Sequence, residues 1–175
     1  MRRAGAAGLA AGGLIGTVVI GCSGEAPSAA PAPMSVRDAD PCSFIEQSVA
    51  TANGLGQGKT VNEARFRNCW WTAGSFTTAI FVRWDRGVFV DFSDSYPEPL
   101  GDVELGGEQV LLGKSRVNAG CAGTIFAENG TSVLVGVAYY PPATADTACE
   151  RVKTIGGPVV QRLRSLHLLD ERPTS

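Results

Sequence analysis

The chain predicts an α+β domain: a curved antiparallel sheet of about five to six strands, with an N-terminal and a C-terminal helix packed on one face and two disulfides. Three observations predict it. Helix signals stand at the two ends of the domain, at Asp40-Pro41 and along the apolar stripe from Cys149 to Leu166. Between them, β-branched and aromatic runs are cut short by Gly, Asn, Asp and Pro. Four cysteines, Cys42, Cys69, Cys121 and Cys149, are spread across these elements.

The first element is a leader, residues 1–21. Arg2 and Arg3 form a positive n-region, Ala4 to Ile20 an apolar stretch, and Val19-Ile20-Gly21 precede Cys22. This order reads as a lipoprotein signal peptide, cut before Cys22, whose thiol and new amino group are then acylated with chains such as palmitate. A transmembrane helix needs about 20 strongly apolar residues, and this stretch is shorter and diluted by Ala and Gly. Two or more acyl chains hold a protein stably on a bilayer, so Cys22 is the expected membrane anchor. The expected address is the cell membrane, lipid-anchored on its extracytoplasmic face.

Residues 22–39 are rich in Ala, Pro and Ser and carry few large apolar side chains. They predict a disordered tether, reaching at most roughly 50 Å from the lipid at about 3.3 Å per residue. Residues 40–170 are one domain by length, and 171–175 a disordered tail. Removing two arginines with the leader takes the net charge from −2 to −4, which disfavours nucleic acid as a partner and gives no polybasic patch for anionic lipid.

Asp40 caps and Pro41 opens a helix over 41–52, burying Phe44, Ile45 and Val49 and stopping at Asn53-Gly54. Leu55 to Thr60 is a Gly-rich loop. Its Lys59-Thr60 lacks the glycine spacing of a phosphate loop, since residue 53 is Asn. Strands are predicted at 67–72 and 76–84, with a turn at Asp85-Arg86-Gly87 and a return strand at 88–92. Pro97 and Pro99 punctuate a loop, and short strands flank Gly106-Gly107. A hairpin joins 121–127 to 132–140 about Asn129-Gly130. Asn129 heads a glycosylation sequon, which the turn explains. The last helix runs from about Asp146 to Leu168, with Gly156-Gly157-Pro158 predicting a kink or break.

An even cysteine count in an exported domain argues for disulfides. A metal site is disfavoured because no C-x-x-C spacing occurs and His167 is the single histidine. Three pairings are open; Cys42–Cys69 with Cys121–Cys149 is favoured, because each ties a helix to a nearby strand. Paired cysteines leave no thiol nucleophile, and His167 reads as a cation at a helix C-terminus rather than a base. The carboxylates Asp85, Asp91, Asp94, Glu98, Asp102 and Glu104 read as solvated turns before they read as a glycosidase pair or a calcium site. No catalytic residue, metal or cofactor is assigned, and the expectation is a protein that is not an enzyme.

The lipobox, the tether, Asp40-Pro41-Cys42, Cys69-Trp70-Trp71, Cys121 and Cys149 opening a final helix together resemble a domain-of-unknown-function family of small four-cysteine actinobacterial lipoproteins. Trp71 fits the C-x-W of that pattern, whereas Asp146 stands one residue further from Cys149 than its usual cap. The resemblance implies a surface-exposed, disulfide-bonded lipoprotein and no activity.

Aromatic residues cluster on the predicted strands, Trp70, Phe81, Trp84, Phe89, Tyr139 and Tyr140 among them. They fit a core; alternation also sends part of the set to the uncovered sheet face. Trp70, Trp84, Phe89 and Tyr139 are the candidate binding face for an envelope protein partner. The alternative is a carrier or sensor with a pocket for a small amphiphile between helix and sheet.

Overall fold

A computed structural model describes residues 35–62, 66–84, 96–115 and 118–169. Its centre is a seven-stranded antiparallel sheet. The strands are β1 (Lys59–Asn62), β2 (Phe66–Ala73), β3 (Phe76–Arg83), β4 (Glu98–Leu105), β5 (Glu108–Lys114), β6 (Ala119–Phe126) and β7 (Ser132–Tyr139), in the spatial order β1-β2-β3-β7-β6-β5-β4. Two meanders meet where β7 pairs with β3, Ile80 opposite Val135. Cys22, the turn at 85–87, the return strand at 88–92 and Phe89 lie outside the described residues. Both edges of β3 are taken, by β2 and β7, so no ladder position beside it is open to a hairpin partner.

The expected strand count of five to six is corrected to seven. β1 has one apolar residue, Val61, in Lys-Thr-Val-Asn, so it carries no period-2 signal; its pairing with β2 places it. β4 begins at Glu98, within the expected proline loop. Pro99 is tolerated because β4 is an edge strand and its register shifts between Pro99 and Gly101. Glu98, Asp102 and Glu104 are exposed along that edge, a charged rim that resists pairing with another chain.

The expected N-terminal helix over 41–52 is corrected to two pieces. Asp40 caps a 3-10 turn, Pro41–Phe44, accepting from Cys42 N at 3.0 Å. Ile45 is then extended, and α1 runs over Gln47–Ala52. The break lets consecutive residues Phe44 and Ile45 both turn inward, and the Ser43 carbonyl is taken by Arg162 Nε at 3.3 Å instead of by a helical N–H. The domain also begins before Asp40. Ser35–Ala39 forms a turn whose Val36 and Ala39 are in the core, and Arg67 Nη1 donates to the carbonyls of Arg37 and Asp38. Residues 35–39, expected in the tether, thus pack with the domain.

The second helix, α2 (Ala145–Ser165), is capped by Thr144, whose hydroxyl accepts from Thr147 N, and not by Asp146. Asp146 lies in the first turn and pairs with Lys114 of β5 at 2.6 Å. The helix lays Ala148, Cys149, Val152, Ile155, Val159, Val160 and Leu163 onto β5, β6 and β7, an i, i+3, i+4, i+7 stripe. Burying each Val, Ile or Leu contributes about 1.5–3 kcal/mol. The expected break at Gly156-Gly157-Pro158 is absent. The glycines instead let the helix touch the β4–β5 turn: a Cβ on Gly156 would lie 2.8 Å from Leu105 Cδ1, and one on Gly106 2.9 Å from the Gly157 carbonyl. Gly106 and Gly107 have φ of +59° and +85°, as a two-residue hairpin turn requires.

The helix ends in a left-handed residue. Leu168 N donates to Leu163 O and His167 N to Arg164 O, both at 2.9 Å, and Leu168 is fully buried behind them. His167, an exposed non-glycine with φ of 56°, occupies the position where glycine is normal. Replacing it, His167→Gly, is expected to stabilise the domain by about 1 kcal/mol and raise the melting temperature by about 2–4 °C. A fall in the melting temperature would show that the imidazole contributes more than its backbone conformation costs.

Two disulfides join the helical layer to the sheet. Cys42–Cys69 ties the 3-10 turn to β2 and Cys121–Cys149 ties β6 to α2, with Cα separations of 5.1 and 5.0 Å.

Candidate functional site

The disulfides set which way each strand faces. Cys69 points to the helical layer, so its neighbour Trp70 points away, and Trp71 returns to the core at 2% exposure. Cross-strand register carries this parity over the sheet. Cys69, Ile80, Val135 and Gly123 share the helical face, and Trp70, Ala79, Gly136 and Ala122 share the other.

That second face has two regions. In one, Ala122 and Leu134 are buried against Phe81, Leu111 and Tyr96. Tyr96, just before β4, reaches over the sheet, and a Cβ on Gly136 would lie 3.7 Å from its hydroxyl oxygen. Burial raises the Tyr96 hydroxyl above the usual 10.0. The expected bare sheet face is thus partly covered, because the β3–β4 connection brings a large aromatic residue across a row of small ones.

The other region is an open cleft of about 500 Å³. Its floor is Thr77 and Ala138, register partners on β3 and β7. Trp70 stands on one side, diagonal to Thr77 across the β2–β3 ladder, and is 40% exposed. Tyr140, 56% exposed, follows β7; its N–H donates to Ser75 O at 3.0 Å, and its hydroxyl lies 3.4 Å from Thr77 Oγ1. Asn118 and Pro141 complete the rim. Trp70 is the end of an aromatic ladder. Phe66 meets Phe81 edge-on at 5.9 Å, and Phe81 meets Trp70 at 5.5 Å with an interplanar angle of 81°. Edge-to-face pairs of this kind hold ring orientation and contribute about 0.5–1.5 kcal/mol beyond burial.

The candidate binding face does not gather as expected. Trp70 is on the open face and lines the cleft. Tyr139 alternates to the helical side and packs on Phe76, ring centroids 5.0 Å apart, while also bordering the cleft. Trp84, at the end of β3, is half-buried and packs against the main core. Phe89 lies outside the described residues. Tyr140, Thr77 and Asn118 are the cleft residues that the face missed. Strand parity counted from Cys69 and the direct opposition of Thr77 and Ala138 are the signals that place them.

Other arrangements are ordinary packing. α2 meets the sheet through residues that are fully buried, Val152, Ile155, Val159 and Leu163 among them. A second, smaller cleft of about 260 Å³ lies among the helices, between Val49 and Pro158, and is crossed by the Arg162–Glu46 ion pair at 3.6 Å. Arg151 is a structural clamp: it donates to the Asn53 carbonyl at 2.8 Å and lies 4.6 Å above the Phe76 ring. Among the described residues no group of three or more His, Cys, Asp or Glu side chains converges, and no helix is long and apolar enough to cross a membrane. No family model, no curated protein and no solved structure matches the chain.

Proposed function

We propose that the chain is a lipoprotein, anchored through acylated Cys22 on the extracytoplasmic face of the cell membrane, and that its domain is a non-enzymatic binding module of the envelope. One observation carries the binding part. Trp70 and Tyr140, two large rings, stand exposed at either side of a cleft whose floor is rigid sheet. Rigid aromatic side chains in a concave site give contact area at low entropic cost, which suits recognition. The disulfides support an oxidising compartment, and the Val19-Ile20-Gly21-Cys22 sequence supports the anchor.

Each half has its own test, in the full chain produced in its host. Metabolic labelling with an alkyne palmitate should mark the wild type and leave Cys22→Ser unmarked; equal labelling of both would remove the anchor. A photo-crosslinking amino acid at Tyr140 should yield an adduct that the same group at Gln161, on the far side of the domain, does not yield. Identical products from both positions would remove the cleft as the binding site.

A further inference from the structure

We infer that the ligand of this cleft is a neutral saccharide, an inference that rests on the binding-module reading above. The lining decides the chemistry. Among the described residues every side chain lining the cleft is uncharged, and their polar groups are the Asn118 amide, the Trp70 indole N–H and the hydroxyls of Thr77, Tyr139 and Tyr140. An anionic ligand calls for guanidinium, ammonium or a helix N-terminus, and the described lining offers none of these. An acyl chain gains from burial only where it is enclosed, and this site is a wide cleft over a flat floor of Thr77 and Ala138. A peptide adding itself as a strand needs a free ladder, but β2, β3 and β7 are each paired on both edges.

A pyranose ring meets these conditions. One of its faces is a patch of C–H groups, which packs on an aromatic ring. Its rim is hydroxyls, which exchange hydrogen bonds with neutral amides and alcohols. Trp70, held by its edge contact with Phe81, supplies a platform, and Tyr140 supplies a second ring that also carries a hydroxyl. Asn118, exposed at the rim, can both donate and accept, as a sugar hydroxyl demands. The volume of about 500 Å³ lies within the roughly 300–1,000 Å³ of small-molecule sites. Among the described residues Lys59 is a charge beside the cleft on that sheet face, exposed on β1 directly opposite Trp70 and away from the floor. It tests whether neutrality is the right reading.

The experiment is saturation-transfer NMR on the acylated chain in lipid nanodiscs. Maltotriose and triacetylchitotriose are the neutral probes, and trigalacturonate the anionic one. At least one neutral trisaccharide should bind with a dissociation constant of about 0.1–1 mM, weakened about tenfold or more by Trp70→Ala and by Tyr140→Ala. Both variants should keep two disulfides by mass; if Trp70→Ala melts, Tyr140→Ala decides. Neutral binding that survives both substitutions overturns the site. Tighter binding of trigalacturonate that is lost in Lys59→Gln overturns the neutral class. No transfer from any probe at about 10 mM overturns the saccharide, and the Tyr140 crosslink then separates the two readings. An adduct specific to that position leaves the binding module standing, and its absence ends both.

Discussion

Replacing Cys121 and Cys149 together by alanine is expected to cost about 3.5 kcal/mol on loop entropy alone, for a cross-link spanning 28 residues. That corresponds to a fall in melting temperature of about 10 °C for a domain of this size. The native side adds to the loss. Cys121 is fully buried on a central strand and Cys149 is 3% exposed on α2, so two alanines leave a void where helix and sheet touch. Urea unfolding of the oxidised wild type and the double variant measures the difference. A change below about 1 kcal/mol would mean that the apolar stripe of α2 positions the helix without help from the covalent link. The double substitution is the cleaner variant, since a single one leaves a buried thiol free to exchange with Cys42 and Cys69.

Gly58→Ala is expected to destabilise by about 3 kcal/mol, the upper end for overpacking a rigid site. A Cβ there would lie 2.6 Å from Cys69 Sγ and 2.8 Å from the Trp71 indole. Neither neighbour can yield: Cys69 is bonded to Cys42, and Trp71 is 2% exposed inside the core. Gly54→Ala makes the useful comparison. Its added Cβ meets nothing within 4 Å, so its cost comes from φ of +68° alone. The thermal melts of the two variants should separate crowding from backbone strain. If Gly58→Ala melts like the wild type, β1 and the loop before it move freely enough to let the ring and the disulfide shift. Gly58 thus has a packing reason, a close approach to a disulfide, and Gly54 a conformational one, its positive φ.

The legible parts of this chain were those in which a local pattern has one geometric solution. Asn129-Gly130 between two apolar runs forms a hairpin turn, and the structure places Gly130 at φ of +70° between β6 and β7. Gly106-Gly107 does the same between β4 and β5. The apolar stripe of α2 repeats at helical spacing over five turns, so its buried face followed from the order of residues. The disulfide pairing followed from the same logic, because each favoured bond joins a helical element to a neighbouring strand. Of the expected binding face Trp70 stands on the open side, whereas Trp84 and Tyr139 turn to the core, and the cause is parity. Tyr139 and Tyr140 are adjacent in a strand and at its end, so they leave on opposite sides; a count of aromatic residues does not see this, and a count of alternation from a bonded cysteine does. Of the kink or break predicted at Gly156-Gly157-Pro158, a break is absent, and the two glycines lie where a neighbouring backbone comes close. The β4–β5 turn supplies that neighbour, from fifty residues earlier in the chain.

By itself the sequence determined the α+β class, the Asp40 cap, the hairpin turns, the two disulfides and the charge balance, since each depends on residues near one another along the chain or on covalent chemistry. Only the tertiary structure decided that β7 closes against β3, that β1 joins the edge, that Tyr96 covers part of the second sheet face, and that Trp70, Thr77 and Tyr140 converge on one cleft. The reason is physical. Strand partners and face neighbours are chosen by burial and by ladder hydrogen bonds between segments tens of residues apart, and no periodicity within a single segment records which distant segment will lie beside it.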